Sequence, residues 1–235
     1  MRDYNSMALQ FSRGCPFNCE FCDITKLFGR LPRTKSAAQI KGELDRLYQL
    51  GWRGSVFFVD DNFIGNRRNA LDVLQAVAVW QRQRQYPFFF FTEASVNLAS
   101  MPDLMKTMVE AGFDMVFLGL ETPNMETLLR SNKRQNVDSD NPNYLLEAVK
   151  TIQRYGMEVT AGFIIGLDGD DERIFDSQIS FIQRAGIPTA MVGLLTALKG
   201  TDLYTRLKHE NRLVNESSGN NVSSELNFIP TMDKT

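Results

Sequence analysis

Apolar residues in this chain alternate between two patterns. The first is amphipathic: Ile40, Leu44, Leu47 and Tyr48 recur at helical spacing, as do Ala70, Leu71, Leu74, Val77 and Ala78. Leu104, Met105, Met108 and Val109 repeat the pattern, followed by Leu145, Leu146, Val149 and Ile152, and then by Phe175, Ile179 and Ile182. Residues three and four apart share a helix face, so each stripe predicts a helix with one side turned to a core. Ser36 with Gln39 has the form of a capping box before the first stripe, and Pro102 suits the opening turn of the third. The second pattern is continuous: Met7 to Phe11, Ser55 to Val59, Phe88 to Phe91, Met115 to Leu120, Val159 to Ile165 and Ala190 to Leu195. Runs apolar on both faces mark parallel strands covered by helices. Gly51, Gly112, Gly156 and Gly186 each close an amphipathic stretch shortly before such a run, where glycine takes a left-handed cap at little cost. The alternation predicts an α/β fold, a (βα)6 partial TIM barrel: an open parallel six-stranded sheet with helices outside and right-handed crossovers.

Active sites of such barrels form at the carboxyl ends of the strands, so the residues ending each run matter most. Strand two runs into Asp60, Asp61 and Asn62, strand three into Thr92 and Glu93, strand four into Glu121 and Thr122, and strand five into Gly166, Leu167 and Asp168. Strand six ends in Thr196, ahead of Lys199, Gly200 and Thr201. One acid after a strand reads equally well as the N-cap of the next helix. Recurrence on successive strands points instead to a rim that receives a cationic, hydroxyl-bearing ligand.

Strand one runs into Cys15, Cys19 and Cys22, the three cysteines of the chain. Three thiolates on one tight loop suit a cubane iron-sulfur cluster in which one iron keeps an open position for a small molecule. A structural zinc site wants a closed set of four ligands, and His209, the one histidine, stands far away at the end of a late helix. A disulfide plus a free thiol makes a poor staple at this spacing. Chance core cysteines fit badly among Arg13, Gly14, Pro16 and Asn18, which are loop residues.

The stretch Arg13-Gly14-Cys15-Pro16-Phe17-Asn18-Cys19-Glu20-Phe21-Cys22 resembles the signature loop of the radical S-adenosylmethionine (SAM) superfamily, down to the aromatic before the last cysteine. The resemblance implies a 4Fe-4S cluster on Cys15, Cys19 and Cys22, with S-adenosylmethionine chelated at the open iron and cleaved to a 5'-deoxyadenosyl radical. It also implies that Phe21 lies beside the adenine and that Asp60 and Asp61 take the methionyl amino group. Glu121 then meets the ribose, Ile164 and Ile165 of the strand-five glycine stretch Gly162 to Gly166 pack on adenine, Met191 closes the adenine wall, and Glu93 joins the cofactor rim.

Within that superfamily, Phe58 to Asn66, Thr92 to Ala99 and Ala190 to Leu195 resemble a cobalamin-dependent branch that includes the hopanoid C-2 methylases. That implies a methyltransferase acting on an unactivated carbon, an external flavodoxin- or ferredoxin-like electron donor, cobalamin as a further cofactor, and a small-molecule substrate, a lipid among the options. The chain carries no Asp-x-His-x-x-Gly cobalamin motif, so the expectation is the core of a longer protein: residues 1–212 as the barrel and 213–235 as the loop-like start of a further segment, through Asn215, Ser217, Ser218, Gly219, Asn220 and Asn221. The other readings are a radical enzyme without cobalamin, an inert iron-sulfur carrier or sensor, and a divalent-metal barrel enzyme using Asp60, Glu93 and Glu121. Phe88 to Phe91 reads as core packing and not as a greasy pocket, because alternate side chains of a barrel strand point inward and outward. One question stays open on sequence: whether Arg130 to Asn141, with Lys133, Arg134 and Gln135, is a substrate loop or solvated charge.

Composition adds bounds. With 235 residues and 43% hydrophobic content the chain can bury one substantial core, and a net charge of −2 offers no nucleic-acid footprint. No apolar run reaches membrane-spanning length and the start lacks a secretory leader pattern, so the expected setting is a reducing cytoplasm.

Overall fold

The computed structural model describes residues 3–217, 219 and 225–232. Its main sheet is built from β1 (Ser6–Leu9), β2 (Gly54–Phe58), β3 (Phe88–Ala94), β4 (Phe113–Glu121), β5 (Glu158–Ile165) and β6 (Ala190–Leu194). These lie side by side in chain order, every neighbouring pair parallel. The principal helices are α1 (Ala37–Gln49), α2 (Arg67–Gln83), α3 (Pro102–Glu110), α4 (Tyr144–Arg154), α5 (Arg173–Ala185) and α6 (Asp202–His209), one after each strand. The sheet curls into an open (βα)6 half-barrel with the helices on its outer side.

Local signals act as expected. Ser36 and Gln39 form a reciprocal capping box at α1, Asn66 caps α2, and Thr201 caps α6. Gly51, Gly112, Gly156 and Gly186 all take positive φ, from 65° to 100°. Alternation along the strands then sorts side chains between two faces. Val56, Phe58, Phe88, Phe90, Val116, Leu118, Val159 and Phe163 are buried beneath the helices. Phe58 and Phe113 join Phe63 and Phe90 in an aromatic cluster whose neighbouring centroids lie 5.2–5.6 Å apart. Phe57, Phe89, Phe91, Phe117 and Ile164 occupy the alternate positions and face the open barrel, with Phe89 half exposed and Phe57 stacked on Phe91 at 4.7 Å. The run Phe88 to Phe91 therefore splits by position: two rings are core and two line the lumen.

Two details of the helical pattern differ from expectation. Val109 is exposed at the end of α3. On α5, Phe175 and Ile179 point outward, and the buried stripe is Ile174, Gln178, Phe181 and Ala185. A glutamine inside the true stripe hid it: Gln178 turns inward because its amide donates to the Ile164 carbonyl at 2.9 Å, in a place where an unpaired backbone oxygen would be costly.

Beyond α6 the chain returns to the barrel. Leu213 bridges to Phe228, which is fully buried with Leu167, Leu195, Ala197, Leu203 and Leu207 in a second, smaller core. Asn227 both accepts from the Ala197 N–H (2.9 Å) and donates to its carbonyl (3.0 Å). Residues 213–217 and 225–229 are thus fastened across the expected 212/213 boundary; Ser218, Asn220 and Asn221 lie outside the described residues. Among the described residues no helix is long and apolar enough to cross a membrane.

Candidate cofactor site

The cysteine loop leaves β1 and is held from several sides. Asp60, at the end of β2, accepts the Phe11 N–H at 2.9 Å and also the Ser12 N–H, which fastens the root of the loop to the neighbouring strand. Burial raises the Asp60 pKa to about 6 despite those donors. Gly14 has φ +102° and the Gly29 carbonyl 2.8 Å from where a Cβ would sit, so no other residue fits. Further along, the Glu20 N–H donates to Ser131 (2.9 Å), Asn132 donates to the Asn18 carbonyl (2.6 Å), and the Leu203 N–H donates to the Glu20 carbonyl (2.9 Å).

Above the strand ends lies a cavity of about 410 Å³. Cys15, Cys19 and Cys22 line it together with Phe21, Asp61, Glu93, Glu121, Ile164 and Met191. Asp60 and Ile165 do not: Asp60 is turned to the loop backbone, and Ile165 is buried on the helix side of β5. Adjacent residues at a strand end face opposite ways, which separates Asp60 from Asp61 and Ile164 from Ile165. The cavity also gathers Asn62 from the end of β2, Gly193 from β6, Lys133 and Gln135 from the stretch left open between a substrate loop and solvated charge, and Ser95 and Phe117, which the sequence did not single out.

Lys133 is the principal addition. Its ammonium is 2.6 Å from Glu121, with both side chains only 10–12% exposed, and lies 5.7 Å from the Phe21 ring centroid. Burial, the largest single influence, opposes the charge on Lys133, but the Glu121 carboxylate together with the nearby Cys19 and Cys22 sulfurs outweighs it and the pKa is raised. Glu121 reaches inward through a bulge between β4 and β5 and adopts φ +67°, a strained conformation for a residue with a side chain. Asn136 stabilises the bend by donating to the carbonyls of Gly119 and Leu120 at 3.0 and 3.1 Å. A Cβ on Gly119 would sit 2.5 Å from the Glu121 carboxylate and 3.0 Å from the Lys133 ammonium, so the glycine makes room for the pair. Gly162 likewise leaves space for the Phe117 ring, whose edge lies 3.0 Å from the missing Cβ.

At the neighbouring ends of β2 and β3 the cavity is acidic. Burial, with the charges of Asp61 and Asp60, raises Glu93 to about 7, and Glu93 has no hydrogen-bond or ion-pair partner among the described residues. Such a wall suits an ammonium or sulfonium group, which restores the carboxylate's charged form. The three thiols are free; burial raises Cys15 and pushes Cys22 up to about 11, so coordination is what would draw the thiolates out. Among the described residues no group of three or more His, Cys, Asp or Glu converges as a single bound ion requires. A cubane makes no such demand, since each thiolate takes a different iron. The divalent-metal arrangement fails on geometry, because Asp60 faces the backbone and Glu121 is engaged by Lys133.

The family model of the radical SAM superfamily matches residues 9–182, the barrel from β1 into α5. The chain belongs to the radical SAM superfamily. A second family model, described as a domain of unknown function (DUF4070), matches residues 201–235. The chain is 54% identical over 229 residues to an uncharacterized methyltransferase of Synechocystis sp., and 42% identical over 227 residues to the hopanoid C-2 methylase of Rhodopseudomonas palustris. Each alignment takes in 97% of this chain and 42% of the relative, so the chain spans less than half the length of these relatives. Among solved structures it resembles the radical SAM methyltransferase TsrM of Kitasatospora setae, solved with cobalamin and a [4Fe-4S] cluster bound, with a TM-score of 0.75, 13% identity, and coverage of 91% of this chain and 38% of that one. At that identity the likeness is one of fold.

Proposed function

We propose that this chain is the catalytic core of a radical SAM methyltransferase that modifies an unactivated carbon of an apolar small molecule. The observation that carries the reading is the convergence of three free cysteines, an uncompensated acidic wall and an apolar floor on one cavity at the carboxyl end of the sheet. Cys15, Cys19 and Cys22 would hold a 4Fe-4S cluster, which would supply the electron for reductive cleavage of SAM, and cobalamin, for which this chain carries no Asp-x-His-x-x-Gly motif, would supply the methyl group.

The chain's own residues bind and orient. Asp61 and Glu93 face the cationic end of the cofactor, Glu121 receives the ribose hydroxyls, and Phe21, Ile164 and Met191 flank the adenine. Asp60 acts one step removed by holding the loop root through Phe11 and Ser12. Phe117, with Ile164, gives the cavity an apolar side, which supports an apolar substrate, as does the likeness to a hopanoid methylase. The proposed setting is a reducing cytoplasm with an external flavodoxin- or ferredoxin-like electron donor.

The test is anaerobic reconstitution with iron and sulfide, then dithionite and SAM, with Cys19→Ala as control. The reading predicts 5'-deoxyadenosine from the wild type and none above background from the variant; equal amounts from both proteins refute it.

A further inference from the structure

Two amide side chains reach the cysteine sulfurs. The Asn62 amide nitrogen lies 3.7 Å from the Cys15 sulfur, and the Gln135 amide nitrogen lies 3.3 Å from the Cys19 sulfur. Asn62 is 2% exposed, and its orientation is fixed from the other end: the Ser95 backbone N–H, which can only donate, points at its Oδ1 from 3.2 Å. The amide hydrogens must therefore face Cys15. Gln135 stands on a short 3-10 turn, Arg134–Asn136, anchored by the Lys133 N–H on the Leu128 carbonyl and by the buried Asn136 amide on the end of β4. Both donors are thus held by contacts outside the cysteine loop, Asn62 by Ser95 and the Gln135 turn by Leu128 and the end of β4.

We infer that Asn62 and Gln135 are positioning residues that set the reduction potential of the cluster through N–H···S hydrogen bonds to two of its three cysteine ligands. The inference rests on the proposed function. Adding an electron makes the cluster and its sulfurs more negative, so a donor aimed at sulfur stabilises the reduced form more than the oxidised one and raises the potential. The shorter contact makes Gln135 the stronger of the two.

The experiment is a redox titration of the reconstituted full chain, without SAM, followed by the electron paramagnetic resonance signal of the reduced cluster. Gln135→Leu removes the donor; Gln135→Glu and Asn62→Asp replace it with an acceptor of the same size. At the potential where the wild type is half reduced, the ratio of reduced to oxidised cluster should fall about threefold in Gln135→Leu and about tenfold in Gln135→Glu, with Asn62→Asp changed less than Gln135→Glu. A purely structural role predicts no such ordering. Unchanged potentials in variants with full iron and sulfide overturn the inference and leave the proposed function standing. Variants that assemble no cluster where the wild type does also overturn it, because the amides are then anchors. A wild type that assembles no cluster overturns the proposed function and this inference with it.

Discussion

Two cation–carboxylate groups stand on the same rim and are built in opposite ways. Inside the cavity, Lys133 and Glu121 form one nearly buried pair. Outside it, Arg206 bridges Glu20 of the cysteine loop and Asp168 after β5, and Arg212 grips Asp168 again at 2.7 Å while its guanidinium also holds the Ile229 carbonyl at 2.8 Å. Burial alone would raise Asp168, but the two guanidiniums hold its pKa below the usual value. The outer network is partly wet, with Arg206 34% exposed, and shares each charge among several partners. Its value is geometric, joining three segments at one point. The inner pair has been stripped of water, so each member depends on the other, and a ligand that engages Glu121 must also answer to Lys133. Equal chemistry thus serves fastening on one side and, under the proposed function, recognition on the other.

The largest expected effect comes from breaking the inner pair. Glu121→Ala leaves Lys133 buried without its partner and should destabilise the protein by about 3 kcal/mol in urea unfolding, while replacing both members with leucine or methionine should recover most of the loss. In the reconstituted protein, Glu121→Ala should keep its iron yet bind SAM at least about tenfold more weakly by equilibrium dialysis, the loss of one charge-assisted contact.

Glu93 extends the comparison to an acid with no cation at all. Its folded pKa is raised from 4.5 to about 7, so its favourable contribution is full below pH 4.5 and is lost as pH rises through 7. In the ligand-free protein Glu93→Gln should therefore be more stable than wild type at pH 8, by about 2 kcal/mol after allowance for partial hydration, with the difference closing toward pH 4.5. An unchanged gap across that range would remove Glu93 from the acidic wall.

The outer network should yield less. Arg206→Ala is expected to cost about 1 kcal/mol, with roughly half of that lost in 1 M salt, where the Debye length shrinks to about 3 Å. The Glu121–Lys133 coupling should hardly respond to the same salt, and equal salt dependence in two double-mutant cycles would erase the distinction. Smallest of all is Phe175→Ser on the outward face of α5, expected within about 0.5 kcal/mol of wild type.

The architecture was legible because strands covered on both faces and helices covered on one write different periods into the chain. The cysteines were legible because they are adjacent in sequence. Asp60 and Asp61 were legible as a pair but not individually, since the choice of which carboxylate faces the cavity depends on the strand's pleat and on the Phe11 and Ser12 amides that capture one of them. Lys133 and Gln135 were visible only as a polar stretch; what gives them meaning is the return of a loop from β4 over residues more than a hundred positions earlier. Gln178 misled in the opposite sense, a polar residue in a buried stripe whose reason is a carbonyl on β5.

The fastening of the cysteine loop to α6 also bears on how the molecule can be divided. A chain stopped at Gly200 would retain every strand of the sheet and all three thiols. It would nonetheless strip the cover from Leu167, Leu195 and Ala197, remove both guanidiniums from Asp168, and leave the Glu20 carboxylate and carbonyl facing water. The segment matched by a family of unknown function thus braces the cysteine loop from behind, through Glu20, without supplying any described residue of the cavity lining. Its removal is expected to keep every lining side chain and lose the support of the loop that carries the three cysteines.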